Sequence, residues 1–206
     1  REEQATRDQL AFWDAKLLEA GTALLEARLA LLAELEGPLA AAHAEIAPGE
    51  GVLRLAYVTN APAQAGETAG DALARRLRET AEKELWNGTT LVGPHRDDLA
   101  FELDGRPLAS FASRGQQRTA ILALKLAELD LLAALDGTPP LLLLDDVFSE
   151  LDPARRSHLV RRIAALPQAF VTTTTLDDLD PALRAAGPTW RVDAGQGVTE
   201  DGTAGD

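Results

Sequence analysis

The stretch that decides the fold is LLLLDDVFSELD, Leu141 to Asp152. Four leucines run straight into two adjacent aspartates, and a second acidic segment, SELD, follows. Core packing alone does not ask for charge at the end of an apolar run. Four consecutive apolar residues predict a strand buried on both faces, the pattern of a parallel sheet. In open α/β sheets, ligands bind outside the carboxyl ends of such strands. A structural alternative needs no ligand: a strand followed by a helix whose first turn is acidic, where the helix dipole favours Asp.

The chemical reading gives each carboxylate a task. Asp145 sits where a Mg²⁺ on a nucleotide is held, and Asp146 faces an attacking water. That is the Walker B arrangement of a nucleoside triphosphatase. The flanking sequence is compatible with it. Pro153 starts a helix to Ala165, since Pro suits the first helical position. QAFVTTTT (168–175) reads as a strand, DDLDPALRAA (177–186) as a short helix and TWRVDAG (189–195) as a last strand. This alternation from 141 to 193 predicts a parallel α/β arrangement, and residues 196–206 read as frayed.

Upstream lies FASRGQQRTAILALKLAEL, Phe111 to Leu129. A helix is predicted from Gln116 to Leu135. Ser113 is placed to cap it, and Gly115 lets backbone approach a ligand closely. A capped helix N-terminus is a ready anion site. For a lone Ser-x-Gly a plain cap is explanation enough. The order SRGQQ, LLLLDD, SELD is what changes the reading, because ABC-type ATPases place their signature, Walker B and D-loop in this order. Thr172 to Thr175 follow the next strand, where those enzymes place a γ-phosphate sensor, and Thr173 is the candidate contact. The usual histidine of that sensor is absent.

The N-terminal part has another character. Residues 4–47 read as helical. Leu10, Leu17, Leu24 and Leu31 recur every seven residues, with Leu18, Leu25 and Leu32 in a second row, together one apolar stripe. The stripe serves either packing within its own domain or an arm. Pro38 is expected to break or kink the helix after Gly37. Val52 to Val58 alternates like a strand. A helix is predicted from Asp71, as its N-terminal residue, to Trp86. TLV (90–92) reads as a short strand, Gly93-Pro94 as a turn, and Asp104-Gly105 as a two-residue hairpin turn joining strands 99–103 and 106–111.

Composition bounds the function. There are no cysteines and three scattered histidines, so no disulfide framework or thiolate site is expected. The apolar runs are too short to span a bilayer and the charged start is no signal peptide, so a cytoplasmic protein is expected. Net charge is −13, which argues against a simple nucleic-acid binder. Arginines cluster at 75, 76 and 78, and at 155, 156, 161 and 162. Each cluster alone reads as a solvated helix face.

TLVGPHRDDLAFELDG (90–105), SRGQQRTAILALKLAEL (113–129) and LLLLDDVFSELD together resemble the RecF family, bacterial recombination-repair ATPases related to the SMC proteins. FWDAKLLEAG (12–21) is similar to that family too. The resemblance implies the C-terminal part of an α/β ABC-type ATPase head with a helical arm domain, the arm over 1–88 and the head over 89–206. It implies ATP and Mg²⁺ as cofactors, a homodimer formed on ATP, and weak ATP hydrolysis by the intact protein. It also implies binding to gapped or junction DNA, and work with RecR and RecO to load recombinase. Residue by residue, Ser113, Gly115 and Gln116 match the signature that meets the other subunit's nucleotide. Asp145 matches the metal ligand, Asp146 the catalytic carboxylate, and Ser149 and Asp152 the D-loop. Arg75, Arg76 and Arg78 are the candidate DNA contacts. Within GPHRDDL (93–99), His95 or Arg96 could face DNA or phosphate. The alternative, taken as the expectation, is that Asp97 and Asp98 hold Arg96 in a structural ion pair.

One part of the family pattern is missing. A P-loop needs G-x-x-x-x-G-K-[ST], and none of Lys16, Lys83 and Lys125 follows a glycine. The family places that motif upstream of the arm. With Arg1 at the start and no methionine, the chain reads as a piece of a longer polypeptide and is expected to be inactive alone. Two further readings stay open: the head of another SMC-like or ABC protein, and a non-enzymatic acidic module that binds a partner through its leucine stripe.

Overall fold

The chain opens with α1, Arg7–Ile46, a 40-residue helix that runs without a break through Pro38. A computed structural model describes residues 7–148, 151–193 and 197–200; the side chains of 7–10, 178 and 197–200 lie outside that description. The expected break at Pro38 does not occur. Leu35 and Leu39 flank it and are 5% and 0% exposed. Burying two leucines contributes about 1.5–3 kcal/mol each, enough to offset the roughly 3 kcal/mol that an interior proline costs.

The residues form two compact units, Arg1–Ala40 with Gly51–Ser113, and Ala41–Glu50 with Arg114–Asp206. In the first unit α1 is followed by β1 (Leu53–Val58), α2 (Ala69–Asn87), β2 (Asp98–Leu103), the two-residue β3 (Arg106–Pro107) and the short α3 (Leu108–Phe111). The strands form an antiparallel sheet in the order β1-β2-β3. Asp104 and Gly105 have φ of 49° and 74°, the two left-handed residues that an Asp-Gly hairpin turn requires. The return strand is shorter than expected, because the chain turns helical at Leu108.

Leu25, Ala61, Leu73, Leu77 and Val92 form the buried cluster of this unit, with Leu17, Leu18 and Tyr57 against it. The two leucine rows are covered unequally. Leu25 is buried, but Leu24 and Leu31 of the other row are 44% and 47% exposed. A helix packed along one narrow face buries one row and leaves its neighbour at the rim. Gly21 permits the close approach of α2, since a Cβ there would lie 3.0 Å from Leu73 Cδ2. α2 begins at Ala69, capped by Thr68, rather than at Asp71. Thr68 Oγ1 accepts from Asp71 N at 3.1 Å, and Thr68 N donates to Asp71 Oδ2 at 3.0 Å. This reciprocal capping box holds the Asp71 carboxyl below its usual range, chiefly through the Thr68 hydroxyl. Residues 90–92 are not a strand. Their Leu91 N–H is taken by Glu84 Oε1 at 2.8 Å and the Leu91 carbonyl by Asn60 Nδ2 at 2.7 Å, so this backbone has side-chain partners instead of a ladder.

The second unit contains α4 (Arg114–Asp136), β4 (Leu142–Asp145), α5 (Pro153–Ala164), β5 (Ala169–Thr172), a 3-10 turn (Leu176–Asp178), α6 (Pro181–Ala185), β6 (Trp190–Asp193) and β7 (Gly197–Glu200). β4 and β5 are parallel neighbours, in register from Leu142↔Ala169 to Asp145↔Thr172. β6 does not extend this sheet but pairs antiparallel with β7, so part of the segment expected to be frayed is a strand. Leu126, Phe148 and Leu159 are at most 1% exposed and mark the core. The expected fully buried strand is also corrected. Leu144 is 8% exposed, but Leu143 is 68% and its register partner Phe170 is 44% exposed. Side chains alternate between the two faces of a strand, and only the Leu144 face of this two-stranded sheet is covered.

Candidate functional site

The carboxyl ends of β4 and β5 bring three residues together. Asp145 and Thr172 are register partners, and the Thr172 hydroxyl donates to Asp145 Oδ1. Asp146 has φ 47°, a left-handed conformation that Asp tolerates better than most residues. Its backbone N–H donates to both the Thr172 carbonyl and Thr172 Oγ1 at 3.2 Å. The chain therefore leaves the strand in a sharp turn pinned to the neighbouring strand. That turn is how two consecutive carboxylates end up at one strand end. Asp145 is exposed and Asp146 half-buried.

Exposed oxygen donors of this kind fit Mg²⁺. That ion prefers one or two carboxylates, keeps several waters and takes the rest of its shell from substrate phosphates. Asp145 is the carboxylate that would hold it, with the Thr172 hydroxyl beside it. Among the described residues no group of three or more His, Cys, Asp or Glu could hold a metal. Thr172 is the hydroxyl at Asp145. Thr173 Oγ1 donates to the Thr175 carbonyl at 2.8 Å and accepts from Thr175 N at 3.3 Å. The signal for Thr172 was its position, since two parallel strands of equal length end level.

The SELD segment leads into α5. Ser149 lies outside the described residues. Asp152 is the N-cap of α5, its side chain accepting from Arg155 N at 2.9 Å. Arg155 Nη1 also donates to Asp152 Oδ2 at 2.7 Å. These bonds, led by the backbone one, hold the Asp152 carboxyl below its usual range. A carboxylate with a depressed folded pKa stabilises the fold above its unfolded pKa and loses that contribution as pH falls through the folded value. The cap is thus intact at neutral pH and is lost only in acid, below the range where an ordinary Asp titrates. Asp152→Ala is expected to lower stability by about 1 kcal/mol at pH 7. Its deficit should vanish in strong acid, as thermal melts of both proteins across pH would record.

Ser113 and Gly115 stand elsewhere, at the N-terminus of α4. Ser113 is the residue directly before the helix; it and Gly115 are exposed, and Gln116 is half-buried. Thr119 Oγ1 donates to the Gly115 carbonyl at 2.9 Å.

The arginine clusters are only in part solvated faces. Arg75 pairs with Glu67 at 2.9 Å and Glu79 at 3.3 Å, and Arg76 with Glu79 at 2.6 Å. Arg75 holds the Glu67 carboxyl below its usual range. Arg78 is exposed. In the second cluster, Arg155 pairs with Glu50 and Asp152, and Arg162 with Asp130 and, at 4.0 Å, Glu45. Arg156 Nη2 donates to the carbonyls of Phe148 at 3.0 Å and Leu151 at 3.4 Å. Spacing alone did not reveal these partners, several of which are remote in sequence.

The GPHRDDL motif is also bonded differently from the expectation. Arg96 donates to the Thr90 carbonyl and to Thr89 Oγ1 rather than to Asp97 or Asp98. Asp98 accepts from Leu99 N. Asp97 accepts from Tyr57 Oη at 2.8 Å and Asn60 N at 3.3 Å, while Arg28 donates to Tyr57 Oη at 3.3 Å and to the Pro94 carbonyl at 2.6 Å. Burial pushes the Tyr57 pKa up, which keeps its proton on to donate to Asp97. Asp97 and Pro94 are therefore tied to β1 and α1, and His95 and Arg96 remain exposed.

No family model matches the chain. Curated relatives do. The chain is 42% identical over 197 residues to the DNA replication and repair protein RecF of Rippkaea orientalis, covering 93% of this chain and 51% of that protein. It is 44% identical over 195 residues to the RecF of a Synechococcus, covering 91% and 50%. The chain belongs to the RecF family. It spans about half the length of the curated relatives it matches. Two solved structures agree. RecF, a recombination mediator protein of the RecFOR pathway, solved with ATP, superposes with a TM-score of 0.72 at 31% identity, over 85% of this chain and 48% of that one. RecF with ATPrS gives 0.80 at 28% identity, over 98% and 53%. The fold is the α/β fold of the RecF ATPase. No helix among the described residues is long and apolar enough to cross a membrane.

Proposed function

We propose that this chain is the C-terminal, signature-bearing part of a RecF-type DNA repair ATPase, which binds ATP with Mg²⁺ and dimerises on ATP. In this reading it acts on gapped or junction DNA and works with RecR and RecO to load recombinase. The observation that carries the reading is the Asp145–Asp146–Thr172 cluster at the ends of two parallel strands, in a chain 42% identical to RecF. Bound Mg²⁺ neutralises charge on the transferring phosphoryl group. Asp145 holds the ion, with Thr172 steadying its carboxylate. Asp146 orients and deprotonates the attacking water. Ser113, Gly115 and Gln116 reach the nucleotide on the second subunit, Ser149 and Asp152 line the same junction, and Thr173 closes the loop after β5. Arg78 is the favoured DNA contact of the three arginines, because Arg75 and Arg76 already have carboxylate partners.

The phosphate cradle is not encoded in these 206 residues, since no lysine follows a glycine. The chain by itself is therefore expected neither to bind ATP tightly nor to hydrolyse it, whereas a RecF-length protein containing it does both. Parallel hydrolysis assays decide the matter. Mg²⁺-dependent ATPase activity of the 206-residue chain, abolished by Asp145→Ala, would refute the division of the site.

A further inference from the structure

We propose that Glu50 is a positioning residue for Asp152 of SELD, acting through Arg155. The inference rests on the reading that SELD lines the nucleotide of a second subunit. Glu50 Oε1 receives Arg155 Nη2 at 2.6 Å. Arg155 passes Nη1 to Asp152 Oδ2 at 2.7 Å, and its backbone N–H to Asp152 Oδ1 at 2.9 Å. The three residues form one relay, carboxylate to guanidinium to carboxylate, across 105 positions of sequence.

Its burial gives the relay weight. The Arg155 side chain is 17% exposed and that of Glu50 29%, so solvent screening is weaker than at a surface pair. Glu50 Oε2 is buried with no hydrogen-bond partner among the described residues. Arg155 is therefore the group that compensates this carboxylate, and the guanidinium is held in one orientation. The grip extends along α5. His158 Nε2 lies 3.3 Å from Glu45 Oε2, and Arg162 Nη1 lies 4.0 Å from the same oxygen. Positions 155, 158 and 162 fall on one face of a helix, so residues 45–50 hold α5 through that face. Arg156 secures the other side of the segment through the carbonyls of Phe148 and Leu151. Leu151 and Asp152 are thus held by two adjacent arginines, and one of them is aimed by Glu50.

A charge swap separates positioning from simple fold support. In a RecF-length protein, Glu50→Gln should lower ATP turnover on the order of tenfold, a loss typical of slight misplacement of a reacting constellation, with ATP affinity unchanged. The double variant Glu50→Arg with Arg155→Glu restores an ion pair between the two positions but sets a carboxylate against Asp152. It should recover the melting temperature of the unmodified protein and leave turnover depressed. Should Glu50→Gln fail to fold, the swapped protein carries the same comparison. Unmodified turnover in Glu50→Gln overturns the proposal. So does a swap that restores turnover together with stability, which would make Glu50 a fold contact only. If the unmodified protein shows no ATP turnover at all, the ATPase reading itself falls and the relay's role falls with it.

Discussion

Asp146→Asn in a RecF-length protein is expected to bind ATP and dimerise normally while hydrolysing ATP on the order of a hundredfold more slowly. The expectation follows from what each carboxylate touches. Asp145 is exposed and accepts from Thr172, as suits a group that holds a hydrated cation in the ground state. Asp146 is carried past the strand end by its left-handed backbone, and its N–H is pinned to Thr172. An interaction made only on the way to the transition state lowers turnover and leaves ground-state binding alone. Asp145→Asn should instead weaken nucleotide binding, and dimerisation with it. Single-turnover hydrolysis beside equilibrium ATP binding separates the two. Asp146→Asn hydrolysing at the unmodified rate, or losing ATP as badly as Asp145→Asn, would show that the division of labour is wrong.

The elements legible in the sequence were those set by local chemistry. The Asp104-Gly105 turn, the strand ending on two aspartates and the proline-started α5 all depend on residues within a few positions of each other, and all are present. What was illegible depended on distant partners. Leu143 is apolar, as a buried strand demands, yet a strand buries only the faces that other elements cover. The leucine rows of α1 are equivalent in spacing, and packing against α2 buries Leu25 while Leu24 and Leu31 stay exposed. Arg155 gave no sign of its bond to Glu50. The site divides in the same way. Asp145 and Asp146 were named by composition and order, whereas the contact of Thr172 with Asp145 came only with the parallel register. Asp97 was expected to serve Arg96 beside it and instead serves Tyr57, 40 positions away.

Ser113→Arg is expected to abolish ATP-driven dimerisation of the RecF-length protein while leaving ATP binding by the monomer nearly intact. Ser113 is exposed and stands directly before α4, next to an exposed Gly115. The first turn of a helix carries the positive end of the dipole, a good seat for a phosphate offered by a second subunit. An arginine there adds bulk where backbone must come close, and its extended side chain occupies the seat. Since the phosphate cradle is not encoded in this chain, a monomer's own nucleotide should not feel the change. Hydrolysis should fall with assembly. Ser113→Ala separates cap from contact, because losing a capping hydroxyl costs about 1 kcal/mol of stability but adds no bulk at the interface. It should melt slightly earlier and still dimerise, more weakly. Static light scattering with and without ATP reads the outcome. If Ser113→Arg assembles as the unmodified protein does, Ser113 serves only its own helix and the signature reading of SRGQQ is lost.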